Sequence, residues 1–190
     1  NYDSRRYDAS LALAKLAFDQ DGKLSKNGRR EAWRLIGLSA IRASSVADFN
    51  FFCKEYEKLE KTPQVNSHYY FANGLRARVQ GNLRDALKWY EKIEKEKYAD
   101  SHVYRELAYV YAFERSFEKA LSCVRKAHEL AFGNPYILDI LAMILIDRYR
   151  SERNASLTND IEGCLDDLKL ADEREGTNFH YARSKIRDVV

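Results

Sequence analysis

The chain has 190 residues, of which 45% are hydrophobic and 32% are charged, a composition typical of a globular protein rather than a disordered one. Its 2 Pro and 8 Gly are too few for the turns of an all-β sandwich, so short connections between helices are favoured. The net charge of +3 indicates no general affinity for nucleic acid or anionic membranes, and no apolar run is long enough to span a membrane.

The first predicted helix covers residues 5–18, where apolar and small residues recur at helical spacing. It has the pattern of the second helix of a hairpin, without the first helix. Because the chain also begins with Asn1 rather than Met, we expect it to be a segment of a longer protein. The apolar face of this helix predicts self-association through this end of the chain, or cover from the 19–30 segment.

A period of 34 residues relates successive segments in the middle of the chain. A shift by this period places Gly74 on Ala108 and Ala86 on Ala120, so that small residues stay small. Each unit contains two stretches with apolar residues at helical spacing, which predicts a pair of antiparallel helices. The small residues let the two helices of a pair approach closely, and a large side chain at Gly74 would push them apart.

This spacing resembles the tetratricopeptide repeat family, whose 34-residue pattern is W-x2-L-G-x2-Y, then A-x3-F, then P. In the unit at 67–100 the matching residues are Tyr70, Gly74, Ala77, Ala86 and Tyr90. In the unit at 101–134 they are Tyr104, Leu107, Ala108, Tyr111 and Ala120. The resemblance implies an all-α protein, a right-handed α-solenoid of antiparallel helix hairpins in a single domain.

The predicted organisation is a half repeat at 2–20, four units and a terminal helix at 178–190. The four units are about 30–66, 67–100, 101–134 and 135–175. The last unit carries an insertion at 147–160, for which the simplest interpretation is a solvated loop. A second interpretation is an anion-contacting loop, because arginines can bind phosphate or carboxylate groups in a bidentate manner. The arginines in question are Arg148, Arg150 and Arg153.

The resemblance also implies a partner-binding groove, lined by first-helix side chains that packing does not use. Aromatic and Arg side chains are enriched at binding hot spots. The predicted groove residues are His68, Phe71, Leu75, Arg78, His102, Arg105, Tyr109, Phe113, Tyr136 and Asp139. Met143 and Ile146 are better explained as core residues, because their helix is apolar nearly all round.

No motif for catalysis or metal binding is present in the sequence. The 3 Cys and 4 His are scattered, without CxxC or HExxH spacing, and there is no glycine-rich phosphate loop. Scattered cysteines of this kind are typical of buried, reduced thiols in a cytoplasmic protein. We therefore predict no cofactor, no metal and no enzymatic activity in this chain.

Two functions remain open from the sequence. The first is a non-catalytic scaffold module that binds a protein or peptide partner in its groove. The second is a regulatory or sensor segment of a larger signalling or bacterial defence protein, whose catalytic domain lies elsewhere. Nucleic-acid binding is disfavoured, because both signs of charge are mixed along every unit, and no membrane partner is expected.

Overall fold

The computed structural model describes residues 2–19 and 24–175. In chain order its helices are α1 (Tyr2–Phe18), α2 (Lys26–Arg42), α3 (Val46–Tyr56), α4 (Pro63–Val79), α5 (Leu83–Lys95), α6 (Ser101–Phe113), α7 (Phe117–Leu130), α8 (Pro135–Glu152) and α9 (Leu157–Glu175). Every regular element in these ranges is an α-helix, which confirms the predicted all-α class. The helix predicted at 178–190 lies outside the described residues.

The chain divides into two compact units, residues 1–98 and residues 99–190. In the first unit, α2 packs against α1, α3 and α4, and α4 pairs with α5. In the second unit, α8 packs against α6, α7 and α9, and α6 pairs with α7. Helices that follow one another in sequence therefore provide most of the packing within each unit.

Most helices begin at a polar side chain that accepts a hydrogen bond from a backbone N–H of the first turn. Such caps satisfy donors that have no partner within the helix, and each contributes about 1 kcal/mol. The capping residues are Ser25, Ser45, Thr62, Asn82, Asp100 and Asn134. These residues fix the helix boundaries locally, before any tertiary packing is considered.

Three hairpins close with the same kind of three-residue turn. The middle residues of the turns are Ser44, Gly81 and Arg115, and all three have positive φ angles of 55°, 79° and 57°. In each turn the next residue donates its N–H to the carbonyl five residues earlier, at 2.8 or 2.9 Å. This is the Schellman arrangement, which normally favours glycine at the positive-φ position. Gly81 and Arg115 recur at the predicted period of 34 residues.

The core of the first unit is built around aromatic rings from α2 and α3. The indole of Trp33 stacks on the ring of Phe52, with ring centroids 4.5 Å apart, and its Nε1 donates to the Phe52 carbonyl at 2.9 Å. Gly37 lies against the same Phe52 ring, where a Cβ would be 2.6 Å from Cδ2. The close approach of α2 and α3 therefore depends on the missing side chain at residue 37.

The apolar face of α1 is covered within its own unit. Leu11, Ala14 and Phe18 are buried in the same core as the aromatic residues of α2 and α3. The Phe18 ring meets Phe51 edge-on, with centroids 5.6 Å apart, and an ion pair of 2.6 Å joins Lys15 to Asp48 on α3. Leu13 and Leu16 of this helix are large apolar residues that remain exposed.

The core of the second unit consists mainly of small and aliphatic residues. Its completely buried members include Leu107, Ala108, Val110, Ala120, Val124, Ala127, Ala142, Ile144 and Leu168. Ile146 is also buried, as predicted, whereas Met143 is half-buried. The small residues predicted at Ala108 and Ala120 thus lie where α6 and α7 are in contact.

The prediction of a loop at 147–160 is wrong for most of these residues. Helix α8 continues to Glu152 and α9 begins at Leu157, so that only residues 153–156 lie between them. The physical reason is that residues 147–152 contain no Gly or Pro, and Arg148 Nε donates to Glu152 Oε2 one turn later at 3.0 Å. Arg153, which follows the last residue of α8, has a positive φ of 49°.

Candidate partner-binding face

The orientation of α6 is set by two tyrosines that face α7. The Lys126 ammonium lies 5.0 Å from the centre of the Tyr104 ring, and the Lys119 ammonium lies 5.4 Å from the centre of the Tyr111 ring. With 3.6 residues per turn, Tyr104 and Tyr111 are on one side of the helix, together with buried Leu107. His102, Arg105, Tyr109 and Phe113 therefore lie on the side of α6 that is turned away from those rings.

Arg105 is tied to its neighbour in sequence. Its guanidinium donates to Glu106 Oε1 at 3.0 Å, and the Glu106 side chain is buried. A buried carboxylate needs a charged or hydrogen-bonding partner, because loss of hydration is costly. Arg105 therefore has a structural role as well as a position on the predicted groove side.

Helices α6 and α8 each carry an aromatic side chain that is largely exposed to solvent. Phe113, at the end of α6, is 70% exposed, and Tyr136, in the first turn of α8, is 53% exposed. Helices α6 and α8 are in contact, and both are joined to α7 by short connections, so they run in the same direction. We define the α6–α8 face by its five members, which are His102, Arg105, Tyr109, Phe113 and Tyr136.

Asp139 lies three residues after Tyr136 on α8, close enough to α9 for its charge to act on a thiol there. The pKa of the Cys164 thiol on α9 is raised to about 12, first by burial and then by the negative charges of Asp167 and Asp139. The thiol also approaches the Leu138 carbonyl at 3.5 Å. Asp139 is half-buried, and its negative charge acts on the Cys164 thiol across the contact between α8 and α9.

The predicted groove residues of the first unit are less accessible. Leu75 is only 6% exposed and belongs to the core, so its prediction as a groove residue is wrong. Its position on α4 is used for packing within the unit. Phe71 is half-buried, and its ring is 5.9 Å from that of Tyr90. His68 and Arg78 are also half-buried.

His68 lies near a charged pair on α2. Arg34 Nε donates to Glu31 Oε2 at 2.9 Å. The pKa of the Glu31 carboxyl is lowered, first by the hydrogen bond from Arg34, and also by the positive charges of Arg34 and His68. The structure therefore brings one predicted groove residue of α4, His68, close to the polar side of α2.

The three arginines predicted as an anion-contacting loop are not on a common loop. Arg148 and Arg150 are part of α8, and only Arg153 lies at its end. Arg148 already binds two carboxylates, with 2.8 Å to Glu118 and 3.0 Å to Glu152. These two bonds hold its pKa above the usual value. The three arginines therefore do not form the predicted loop, and their contact with an anion stays a prediction.

A cleft among the described residues was not predicted from the sequence. It lies in the first unit, between the turn from α2 to α3 and the last turn of α4, with a volume of about 160 Å³. We call it the Arg76 cleft, and its lining residues are Ala40, Ile41, Ser44, Ser45, Val46, Phe49, Arg76, Val79 and Gln80. No motif in the sequence marks this cleft, because its lining residues come from two segments that are distant in sequence.

Within residues 2–19 and 24–175 no group of three or more His, Cys, Asp or Glu side chains is placed to hold a metal ion. The cysteines Cys53, Cys123 and Cys164 are free thiols, of which the last two are buried. No helix in the same ranges combines the length and the apolar character that crossing a membrane requires. Comparison with known proteins gave no match to a family model, to a curated protein or to a solved structure.

Proposed function

We propose that this chain is a non-catalytic module that binds a protein or peptide partner through the α6–α8 face. The observation that carries the proposal is the exposure of Phe113 and Tyr136 on helices whose other sides are packed. Large exposed rings cost free energy in water and are common at the centres of binding sites. In this view the two rings are anchors that become buried when the partner binds.

The charges of the face suggest the chemistry of the partner. Arg105 lies on the same side of α6 as the Phe113 ring, and its side chain is 23% exposed beside the buried Glu106. A partner segment with one acidic and one apolar side chain would match this combination. Such a segment would place its apolar group on a ring and its carboxylate near the guanidinium.

The proposal can be tested by panning a library of displayed random peptides on the immobilised chain. We expect enrichment of peptides that combine an acidic residue with a large apolar residue. The double variant Phe113→Ala/Tyr136→Ala is expected to weaken their binding by more than about 1 kcal/mol, roughly fivefold. Far-UV circular dichroism would verify that the variant keeps its helices.

A matched control is available in Phe132→Ala. Phe132 is 85% exposed but lies between α7 and α8, outside the α6–α8 face. Its replacement is expected to leave peptide binding unchanged. The proposal would be contradicted by an absence of enriched peptides, or by an equal loss of binding in the Phe132 variant.

A further inference from the structure

We infer that the Arg76 cleft is a second binding site, and that its ligand is a carboxylate carried by a short aliphatic chain. The site lies in the first unit and does not depend on the α6–α8 face. Its floor and walls are mostly apolar, with Ile41, Val46 and Val79 among them, and a single charged side chain borders it. Pockets of this composition bind small ligands, because apolar walls bury the ligand and a few polar groups orient it.

Arg76 is held in place by an aromatic ring. Its guanidinium carbon is 4.4 Å from the centre of the Phe49 ring, which is buried in the core of the unit. The side chain of Arg76 is itself half-buried. Stacking on a fixed ring restricts the rotamers of the guanidinium, so less conformational entropy is lost when it binds an anion.

The positive charge at the cleft is not balanced by a carboxylate on its walls. Among the described residues that line the cleft, Arg76 is the only charged one. The nearest acidic residue in sequence to the α2–α3 turn is Asp48, which already binds Lys15 at 2.6 Å and the Ser45 hydroxyl at 2.6 Å. These bonds lower the pKa of the Asp48 carboxyl, and its negative charge is paired with Lys15. A carboxylate from outside would thus complement Arg76.

The size of the cleft limits the ligand to one small group. Its volume of about 160 Å³ is below the roughly 300 Å³ at which pockets for drug-sized molecules begin. A branched chain of four or five carbons with a terminal carboxylate matches the cleft, because its apolar end suits the apolar walls and its carboxylate suits the charge of Arg76. Such a group could be a free short-chain acid or the last residue of a peptide with an aliphatic side chain, and the two sources share the same recognition chemistry.

The binding test uses the whole chain and 4-methylpentanoate as the probe. Titration is followed by the methyl chemical shifts of Val46 and Val79 in two-dimensional NMR spectra. We expect saturable shifts with a dissociation constant on the order of 1 mM. The uncharged probe 4-methylpentanamide should bind at least about 10-fold more weakly, because it cannot form the charged pair with Arg76. Equal binding of the amide would overturn the inference.

A second arm distinguishes the two sources of the carboxylate. A short peptide that ends in Leu with a free carboxylate is compared with the same peptide carrying a C-terminal amide. Tighter binding of the free peptide than of 4-methylpentanoate would identify a peptide terminus as the ligand. Binding of 4-methylpentanoate alone would identify a small acid. If neither compound gives saturable shifts up to about 20 mM, the inference is wrong.

Two variants separate the role of Arg76 from a loss of folding. Arg76→Met keeps an unbranched apolar side chain on Phe49 but removes the charge, and is expected to weaken probe binding at least about 10-fold. Arg84→Met, on the exposed side of α5, is the matched control and should leave binding unchanged. Val79→Glu places a carboxylate at the exposed rim of the cleft and should weaken probe binding as strongly as Arg76→Met does. Val79→Gln, which adds no charge, should leave probe binding unchanged. Unchanged binding in both Arg76→Met and Val79→Glu would overturn the inference.

Discussion

Gly74 lies directly against the ring of Tyr90, and a Cβ at residue 74 would be only 2.5 Å from Tyr90 Cε1. Tyr90 is completely buried between the helices, so its ring has no room to move away. The same relationship joins Gly37 to Phe52 in the preceding hairpin. In both hairpins a glycine on the first helix accommodates an aromatic ring from the second, which explains the small residue in the predicted pattern.

The first prediction concerns this contact. Gly74→Ala should destabilise the protein by about 1–3 kcal/mol, because the added methyl group overpacks a fixed ring. Gly163→Ala is the control, since residue 163 is a helical glycine of α9 with no atom within 4 Å of its Cβ position. That change should stabilise the protein by about 0.5–1 kcal/mol. Urea denaturation gives both values, and a Gly74→Ala protein as stable as the wild type would contradict the packing described here.

The hairpins themselves could be predicted from the sequence, but their turns could be predicted only in part. Gly81 indicates a turn because glycine tolerates positive φ, whereas Ser44 and Arg115 adopt the same conformation without such a signal. The sequence does not indicate the end of α8 for a similar reason. Arg153 ends that helix with a positive φ, while the preceding charged residues had suggested a loop. Local hydrogen bonding at these turns outweighs the preference of the individual residue.

The second prediction concerns Arg105 and Glu106. From the sequence alone, Arg105→Ala is expected to leave the melting temperature nearly unchanged, as for an exposed residue. The hydrogen bond to the buried Glu106 changes that expectation. We now expect Arg105→Ala to cost about 1–3 kcal/mol, because the Glu106 carboxylate loses a charged partner without regaining water.

A double-mutant cycle with Glu106→Gln measures this coupling. The loss in the double variant should be smaller than the sum of the two single losses, by at least about 0.5 kcal/mol. Additive losses would show that the two side chains do not stabilise each other. The cycle also shows how far Arg105→Ala can be used in binding studies, since a destabilised variant lowers binding for an unrelated reason.

The third prediction concerns the buried thiol of Cys164, whose pKa is raised to about 12 mainly by burial. Only the thiolate is nucleophilic, so alkylation by iodoacetamide at pH 8 should be at least about 100-fold slower in the folded protein than in urea. Mass spectrometry of the Cys164 peptide after timed quenching measures both rates. Comparable rates in the two conditions would indicate that the contact between α8 and α9 opens readily.

The raised pKa of Cys164 also predicts a pH dependence of stability. Because the folded pKa is above the ordinary value of 9.0, the contribution of the neutral thiol is fully present below pH 9 and declines as pH rises toward 12. Cys164→Ala lacks this titration, so its free energy of unfolding should fall less steeply than that of the wild type over this interval. Parallel curves for the two proteins would contradict the assignment.

The fourth prediction concerns self-association through α1. Its buried face is covered by the same unit, but Leu13 and Leu16 remain exposed. If this surface mediates association, Leu13→Lys/Leu16→Lys should lower the average mass in a light-scattering dilution series. Leu170→Lys, at an equally exposed leucine of α9, is the control and should have no effect. A monomeric wild type at all concentrations would contradict the prediction.

The candidate site could be predicted less completely than the fold. Helical periodicity identifies which side of α6 faces away from α7, and this is how Arg105 and Tyr109 were selected. It does not reveal how deeply a residue is buried by a neighbouring helix, so it predicts a groove position for Leu75, which belongs to the core. The Arg76 cleft was not predicted because it is formed by two segments that are distant in sequence.

The most direct test of partner binding through the α6–α8 face is site-specific photocrosslinking. Photoreactive benzoylphenylalanine is introduced separately at Phe113, Tyr136 and Phe132, which are all exposed aromatic positions. After irradiation with the peptides enriched on the wild-type chain, we expect crosslinks from residues 113 and 136 to different parts of the same peptide, and none from residue 132. Crosslinking from residue 132 alone, or equally from all three positions, would contradict binding at this face.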